Sequence, residues 1–224
     1  MVDIHRAHAQ SHKRGLIAYI LFIGLLVFVA TTTKFDAYVT NILMQAVTYS
    51  VAVMGLTVVL GMCGQINLAQ AAFFGLGAYA VGLGTVDYGL SFWACVGIGL
   101  FIVLLFGAFL GTSTIRLGGH YLAMVTISFQ QILTLVMINW IPVTHGPDGV
   151  SKILKPSLFS TPQSYLGFYV VVLAVVGYLV WHLPETKLGR AMRAVRDNDL
   201  AAGVTGIDVQ RTKVIAFAIC ALLG

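Results

Sequence analysis

Charged side chains are scarce in this chain of 224 residues. Only 9% of the residues are Asp, Glu, Lys or Arg, whereas 58% are hydrophobic. A soluble domain usually carries about 25% charged residues. This composition excludes a soluble globular domain and indicates a protein whose surface faces lipid. The formal net charge is +5. Because the basic residues lie between apolar runs, we expect them to face a membrane surface and not nucleic acid.

The chain also lacks the motifs of several catalytic and metal-binding classes. Its three cysteines, Cys63, Cys95 and Cys220, are too far apart for a metal motif or a disulfide framework, so we expect small buried side chains. Three histidines of the N-terminal segment are interpreted as part of a solvated tail. No Gly-Lys pair occurs, which excludes the usual phosphate-binding loop. No arrangement of catalytic side chains is present, so we predict neither an enzyme nor a cofactor.

Six apolar runs are long enough to cross a bilayer, which takes about 20 residues per helix. None of them contains Asp, Glu, Lys or Arg. The runs cover residues 16–33, 41–61, 66–86, 92–111, 121–141 and 165–183. A seventh run begins at residue 214 and is interpreted as an incomplete span, because 11 residues are too few to cross. We therefore predict an all-α, polytopic transmembrane helix bundle, with a tail at 1–15 and a membrane domain at 16–224.

The distribution of basic residues predicts the orientation. With the N-terminus in the cytoplasm, the inner segments hold ten of the 13 Lys and Arg residues and the outer segments hold three. Cytoplasmic loops collect Lys and Arg, so this orientation is favoured over its inverse. It also places the segment 184–213 in the cytoplasm. That segment is predicted to be a short helix, because Leu188, Met192 and Val195 recur at helical spacing and Gly203 and Gly206 can end it.

Uncharged polar side chains within the apolar runs are the candidates for a solute path. Gln65, Asn67 and Gln70 precede a stretch rich in small residues, where Gly75 is expected at a close helix contact. A second group, Thr126, Ser128, Gln130 and Gln131, lies in the run 121–141. Amides in lipid need partners, and a cavity or a broken helix can supply them, so a solute path or a hinge is favoured for the first group over helix packing alone. For the second group, a solute path and bonding between helices both stay open.

Three blocks of sequence resemble the permease subunits of ABC importers for branched-chain amino acids, especially the LivM type. These are residues 64–79 (GQINLAQAAFFGLGAY), residues 116–129 (RLGGHYLAMVTISF) followed by THGPDG at 144–149, and residues 188–217 (LGRAMRAVRDNDLAAGVTGIDVQRTKVIAF). The third block includes the Ala-Ala-x-x-x-Gly pattern of the family's cytoplasmic coupling helix, which docks on an ATPase. The residues that the resemblance assigns to this coupling loop are Leu188, Gly189, Met192, Val195, Ala201, Ala202 and Gly206.

The resemblance implies alternating access in the bacterial cytoplasmic membrane. It further implies a second permease subunit, two cytoplasmic ATPase subunits and a periplasmic solute-binding protein as partners. We expect the apolar stripe with Met192 and Val195 to be buried in a groove of the ATPase. The alternatives are a permease for urea, short amides or sugars in the same superfamily, and a secondary transporter or channel. An intramembrane enzyme is disfavoured by the missing catalytic groups.

Overall fold

The structure is a computed structural model that describes residue 24 and residues 36–113, 117, 119–151, 153 and 161–224. The described residues form helices and contain no strand, which confirms the all-α prediction. The predicted tail with its three histidines (His5, His8 and His12) lies outside the described residues, and so does the predicted span 16–33 apart from Gly24.

Nine α-helices follow one another along the described part of the chain, and we number them in chain order. The longer helices near the N-terminal side are α1 (Ala37–Leu56), which continues as a π-helix (Thr57–Met62), α2 (Gln70–Val86), α3 (Phe92–Ser113) and α4 (Gly119–Asn139). After them come α5 (Ile141–Thr144), a 3-10 turn (Gly146–Asp148), α6 (Pro162–His182) and a second 3-10 turn (Leu183–Glu185). The last three helices are α7 (Lys187–Asp197), α8 (Asp199–Val204) and α9 (Val209–Leu222).

Four helical stretches among the described residues are long and apolar enough to cross a membrane. They are Ala37–Met62, Phe92–Ser113, Gly119–Asn139 and Pro162–Glu185. The apolar helix α2 has only 17 residues, or about 25 Å of helix, which is less than the ~30 Å hydrocarbon core. Of the predicted run 66–86, only the part from Gln70 onward is helical. Residues 64–69 are not in a helical conformation.

The chain divides into two compact units. One unit draws on Met1–Thr48 and Ser157–Val176, and in its described part Leu166 and Val170 pack against Leu43, Met44 and Val47. The other unit, Tyr49–Pro156 with Gly177–Gly224, holds the main hydrophobic core. That core includes Val58 and Val59 of the π-helix, Phe73 of α2, Leu110 of α3, Met192 of α7 and Phe217 of α9.

Glycines let α9 pack closely on α3. A Cβ atom at Gly107 would lie 2.5 Å from the Cβ of Ala221, and one at Gly111 would lie 3.0 Å from the Cα of Val214. The contact at Gly75, where the sequence predicted a close helix contact, is less tight. A Cβ there would meet the end of the flexible Met137 side chain at 3.2 Å. The contact of α3 with α9 is therefore closer than the contact at Gly75, and at Gly111 it is made by the backbone of α9.

Candidate functional site

The first candidate site is the break between the π-helix and α2. Gly64 begins it with a φ of +69°, a left-handed conformation that glycine adopts without strain. A Cβ at Gly64 would also lie 3.0 Å from the Cγ of Arg196 on α7, so a larger residue lacks both the conformation and the space. The guanidinium of Arg196 donates to the carbonyl of Gly61. The break therefore begins beside α7 and is tied to it.

Side chains supply hydrogen-bond partners for backbone groups within the break. The amide of Leu68 donates to Oγ1 of Thr126 on α4 at 3.1 Å. The amide of Ala69 donates to Oδ1 of Asn67 at 2.9 Å. The amide of Gln65 reaches back to the carbonyl of Val59 at 3.1 Å. Since unpaired backbone groups are costly away from water, these bonds explain how the chain can leave the helical conformation here.

Three side chains form a polar group beside the break, which we call the amide cluster: Asn67, Gln70 and Cys220. Nδ2 of Asn67 donates to Sγ of Cys220 at 3.3 Å, and the thiol of Cys220 donates to Oε1 of Gln70 at 2.9 Å. Nε2 of Gln70 donates to the carbonyls of Cys220 at 3.3 Å and of Ala52 at 3.2 Å. The cluster thus joins the break to α1 and α9, and these amides have partners within the chain.

Gln65 and Cys63 lie at the start of the break and are buried. Nε2 of Gln65 makes a long bond of 3.4 Å to the carbonyl of Cys63. Burial raises the pKa of the Cys63 thiol, one residue beyond the span Ala37–Met62, to about 11, although the positive charge of Lys213 opposes the shift. The thiol is therefore neutral at physiological pH and is not activated as a nucleophile.

The second predicted polar group, on α4, is only partly connected to the break. Thr126 is buried, accepts from Leu68 and donates to the carbonyl of Ala123 at 3.0 Å. Ser128 is exposed and donates to the carbonyl of Met124, as a helical serine commonly does. Gln131 is exposed and Gln130 is half-buried. Among the described residues, no hydrogen bond joins the side chains of Ser128, Gln130 or Gln131 to the amide cluster.

The second candidate site is the segment from the 3-10 turn Leu183–Glu185 to the start of α9. Oγ1 of Thr186 caps α7 by accepting from the amide of Gly189 at 3.0 Å. A Cβ on Gly189 would lie only 2.0 Å from the carbonyl oxygen of Leu183. Arg190 and Arg193 donate to the carbonyls of Glu185 and Pro184. Gly189 is therefore required by the close return of α7 onto the preceding turn.

The apolar stripe of α7, which the sequence analysis expected in a groove of the ATPase, lies in the chain's own core. Met192 is 0% exposed and Val195 is 2% exposed, because both belong to the chain's own core, which Leu188 also contacts. The tight turn before α7 directs this stripe toward the π-helix and α9, so the stripe is already covered and cannot enter a groove of a partner.

The segment also forms two helices where the sequence predicted one. Asn198 adopts an extended conformation (φ −163°, ψ 113°) and ends α7. Its Oδ1 then caps α8 by accepting from the amides of Leu200 and Ala201, each at 3.0 Å. After α8 the chain turns at Gly206, whose φ is +87°. The sequence had predicted that this glycine can end a helix. The break at Asn198 changes which residues face outward.

Helix α8 presents an apolar surface that the sequence analysis did not identify. Leu200 is 83% exposed and Val204 is 89% exposed, and they lie four residues apart on one face. Ala201 is exposed beside them, whereas Ala202 is buried against the core. We call Leu200, Ala201 and Val204 the α8 surface. The i, i+4 spacing of Leu200 and Val204 was the available signal, but it is recognisable only once Asn198 is known to start a new helix.

An ion pair fixes α8 to α9. Nζ of Lys213 lies 2.5 Å from Oδ2 of Asp199, the first residue of α8. Lys213 is only 5% exposed, whereas the Asp199 side chain is half-exposed. A buried ammonium is costly without a partner, so this bond governs how α8 sits on α9.

These features define a multi-span membrane protein in which a non-helical segment separates α1 and its π-helix from α2, and a helical segment connects two apolar helices. The family described as "Branched-chain amino acid transport system / permease component" matches residues 38–224. The chain belongs to this family, within the ABC-type permease superfamily. The family resemblance that the three sequence blocks carry is thereby confirmed.

Individual relatives differ in the solutes that their names state. The chain is 32% identical to the high-affinity branched-chain amino acid transport system permease protein LivM of Escherichia coli K12 over 77% of this chain and 47% of the relative. It is 27% identical to the ribose import permease protein RbsC of the same strain, over 94% of this chain and 66% of the relative. It is 29% identical to the autoinducer 2 import system permease protein LsrC of Enterobacter sp. strain 638, over 71% of this chain and 46% of the relative.

The chain spans about half the length of the LivM proteins that it matches. No solved structure matches it.

Proposed function

We propose that the chain is a permease subunit of an ABC importer and forms part of the path by which branched-chain amino acids cross the bacterial inner membrane. The match of residues 38–224 to the family carries this proposal. The higher identity to LivM than to RbsC or LsrC favours an amino acid as the solute. The partners of this proposal are a second permease subunit, two cytoplasmic ATPase subunits and a periplasmic solute-binding protein.

The orientation is part of the proposal. The N-terminus and the segment 184–213 lie in the cytoplasm, because ten of the 13 Lys and Arg residues then face inward. In this orientation the 1–15 tail is cytoplasmic, and residues 16–224 form the permease domain with the six predicted spans. Helices α7 and α8 then lie on the side where an ATPase can reach them.

The α8 surface is the proposed contact with the ATPase. Leu200 and Val204 expose branched apolar side chains outside the predicted spans, and their burial on a partner would remove apolar area from water. The family pattern Ala-Ala-x-x-x-Gly covers this helix through Ala201, Ala202 and Gly206. Leu188, Gly189, Met192 and Val195 support the contact from beneath, because they hold α7 against the core.

Helix α4 is the proposed wall of the solute path. Ser128 and Gln131 are exposed and lie three residues apart with Met124 and Leu135 on the same face. The side-chain amide of Gln131 has no hydrogen-bond partner among the described residues, and lipid cannot provide one. Water or a polar solute in a path would satisfy this amide, whereas the cluster of Asn67 and Gln70 is already satisfied.

The experiment that tests the docking contact is co-purification from the host membrane, with an affinity tag on this chain. Leu200→Asp with Val204→Asp introduces two charges into the proposed apolar contact, and we expect the ATPase to be lost from the purified complex. Gln210→Asp is the control, since it adds charge at an exposed position of α9 outside the α8 surface. Undiminished ATPase in the double variant would overturn the docking assignment.

The solute is tested by uptake in cells that carry the complete transporter. We expect labelled leucine, isoleucine or valine to accumulate in a manner that depends on this chain. A permease for sugars is the second candidate, because the similarity to the ribose permease extends over 94% of the chain. Uptake of ribose without uptake of any branched-chain amino acid would establish that candidate and exclude the first.

A further inference from the structure

We infer that Asp199 and Lys213 are positioning residues that transmit movement of α8 through α9 to the helix break. The inference rests on the proposed function, in which α8 meets an ATPase. It concerns a different set of bonds from those of the docking surface. Three links carry it: the ion pair between α8 and α9, the stiffness of α9, and the contact of Cys220 with the break.

The first link connects α8 to α9. Lys213 is almost fully buried and its ammonium is bonded to Asp199 at 2.5 Å. Among the described residues, no other acidic side chain pairs with it. The amide of Ile207 also donates to the carbonyl of Ala202 at 3.1 Å, which closes the turn between the two helices. A displacement of α8 must therefore either carry α9 with it or separate a buried charge from its partner, which is strongly unfavourable.

The second link is α9 itself. Lys213 and Cys220 are seven residues apart on this helix, or about 10 Å along its axis. Gly107 and Gly111 of α3 lie directly against α9, where Cβ atoms built on them would be 2.5 Å from the Cβ of Ala221 and 3.0 Å from the Cα of Val214. Closely packed helices shift as units and do not deform continuously. Movement imposed at Lys213 is therefore carried along the helix to Cys220.

The third link connects α9 to the break. Cys220 bonds through its thiol to Asn67 and Gln70, and its carbonyl accepts from Gln70. Asn67 in turn holds the amide of Ala69, and Gln70 is the first residue of α2. A shift of Cys220 thus changes the bonds that maintain the non-helical segment between the π-helix and α2, where a change of backbone conformation can open or close a path.

The test uses the native complex, purified from host membranes through a tag on this chain and reconstituted with its solute-binding protein. Asp199→Ala breaks the first link and leaves Leu200 and Val204 in place. We expect normal co-purification of the ATPase and continued ATP hydrolysis. The amount of leucine transported per ATP hydrolysed should fall about tenfold, within the range of typical coupling between sites.

Asp197→Ala is the matched control, because it removes the same charge two residues away at an exposed position. It should leave the ratio of transport to hydrolysis unchanged. Should Asp199→Ala reduce the yield of the complex, Lys213→Met serves the same measurement without leaving an unpaired buried ammonium, and the same fall in the ratio is expected. The charge exchange of Asp199→Lys with Lys213→Asp should restore part of the ratio.

An unchanged ratio of transport to hydrolysis in Asp199→Ala or Lys213→Met would overturn the inference. So would an equal loss of hydrolysis and transport, since a merely structural ion pair would lower both together. Failure of the proposed function is distinguishable, because then no ATPase co-purifies with the wild-type chain.

Discussion

The thiol of Cys220 donates a hydrogen bond to Oε1 of Gln70 at 2.9 Å, although 150 residues separate the two in the chain. The same glutamine returns a bond from its Nε2 to the carbonyl of Cys220. This reciprocal contact joins the start of α2 to the last helix of the structure. It assigns to Gln70 a role in holding elements together, where the sequence left open whether the amide lines a path.

The first prediction concerns this contact. Gln70→Leu removes one acceptor and one donor and leaves the Cys220 thiol without its acceptor. We expect a loss of stability of about 1–3 kcal/mol, the usual effect of stranding buried hydrogen-bonding groups. Thermal unfolding of the detergent-solubilised protein measures it. Gln131→Leu is the control, because that amide is exposed and bonds to no described residue; equal effects of both substitutions would contradict the assignment.

The second prediction concerns the packing of α3 on α9. Gly107→Ala places a methyl group 2.5 Å from the Cβ of Ala221, so the helices must separate. We expect a destabilisation of roughly 1–3 kcal/mol from overpacking. Gly97→Ala on the same helix is the control, since a Cβ there meets no atom within 4 Å. Melting temperatures of the two variants should differ clearly, and coincident melting would show that the close contact is absent.

The third prediction concerns Gly189. Gly189→Ala places a Cβ 2.0 Å from the carbonyl oxygen of Leu183, and a backbone atom cannot move aside as a side chain can. We expect α7 to detach from the turn before it and expose the stripe of Met192 and Val195. Limited proteolysis of membranes should then cut the segment 187–204 faster than in the wild type. Gly203→Ala, whose Cβ would lie 4.0 Å from Val209, should leave the cleavage rate unchanged.

The fourth prediction concerns orientation. In intact cells an impermeant thiol reagent should label Ser151→Cys but not Gln210→Cys, because the proposed topology places them on opposite sides. Both residues are exposed, whereas Cys63, Cys95 and Cys220 are buried and give the wild-type chain a low background. After the membrane is permeabilised, both variants should react. Labelling of Gln210→Cys in intact cells would reverse the proposed orientation.

Local composition accounts for the features that the sequence predicted correctly. The apolar runs at 41–61, 92–111, 121–141 and 165–183 correspond to the four spans of the described structure, with ends shifted by a few residues. A span is recognisable without knowledge of its neighbours, because lipid is the solvent on most of its surface. At residues 64–69 the chain is non-helical, where the sequence analysis had interpreted the polar side chains as lining a path or forming a hinge.

The direction in which side chains face was harder to predict. Met192 and Val195 form an apolar stripe in the sequence, and a stripe of this kind fits a partner's groove as well as the chain's own core. The structure selects the core because Gly189 allows α7 to turn back onto Leu183. The same turn leaves Leu200 and Val204 exposed on α8, a surface that depends on the helix break at Asn198.

The sequence by itself therefore determined that this protein is helical, has apolar runs long enough to span a membrane and belongs to the branched-chain amino acid transport permease family, because hydropathy and family motifs are local properties of the chain. Only the tertiary structure decided the pairing of Gln70 with Cys220, the contact of Gly107 with Ala221, and the ion pair of Asp199 with the buried Lys213. The first two pairs join residues more than 100 positions apart, and the third depends on a turn between two helices. Their formation depends on how the helices pack, and the spacing of residues along the chain does not encode that packing.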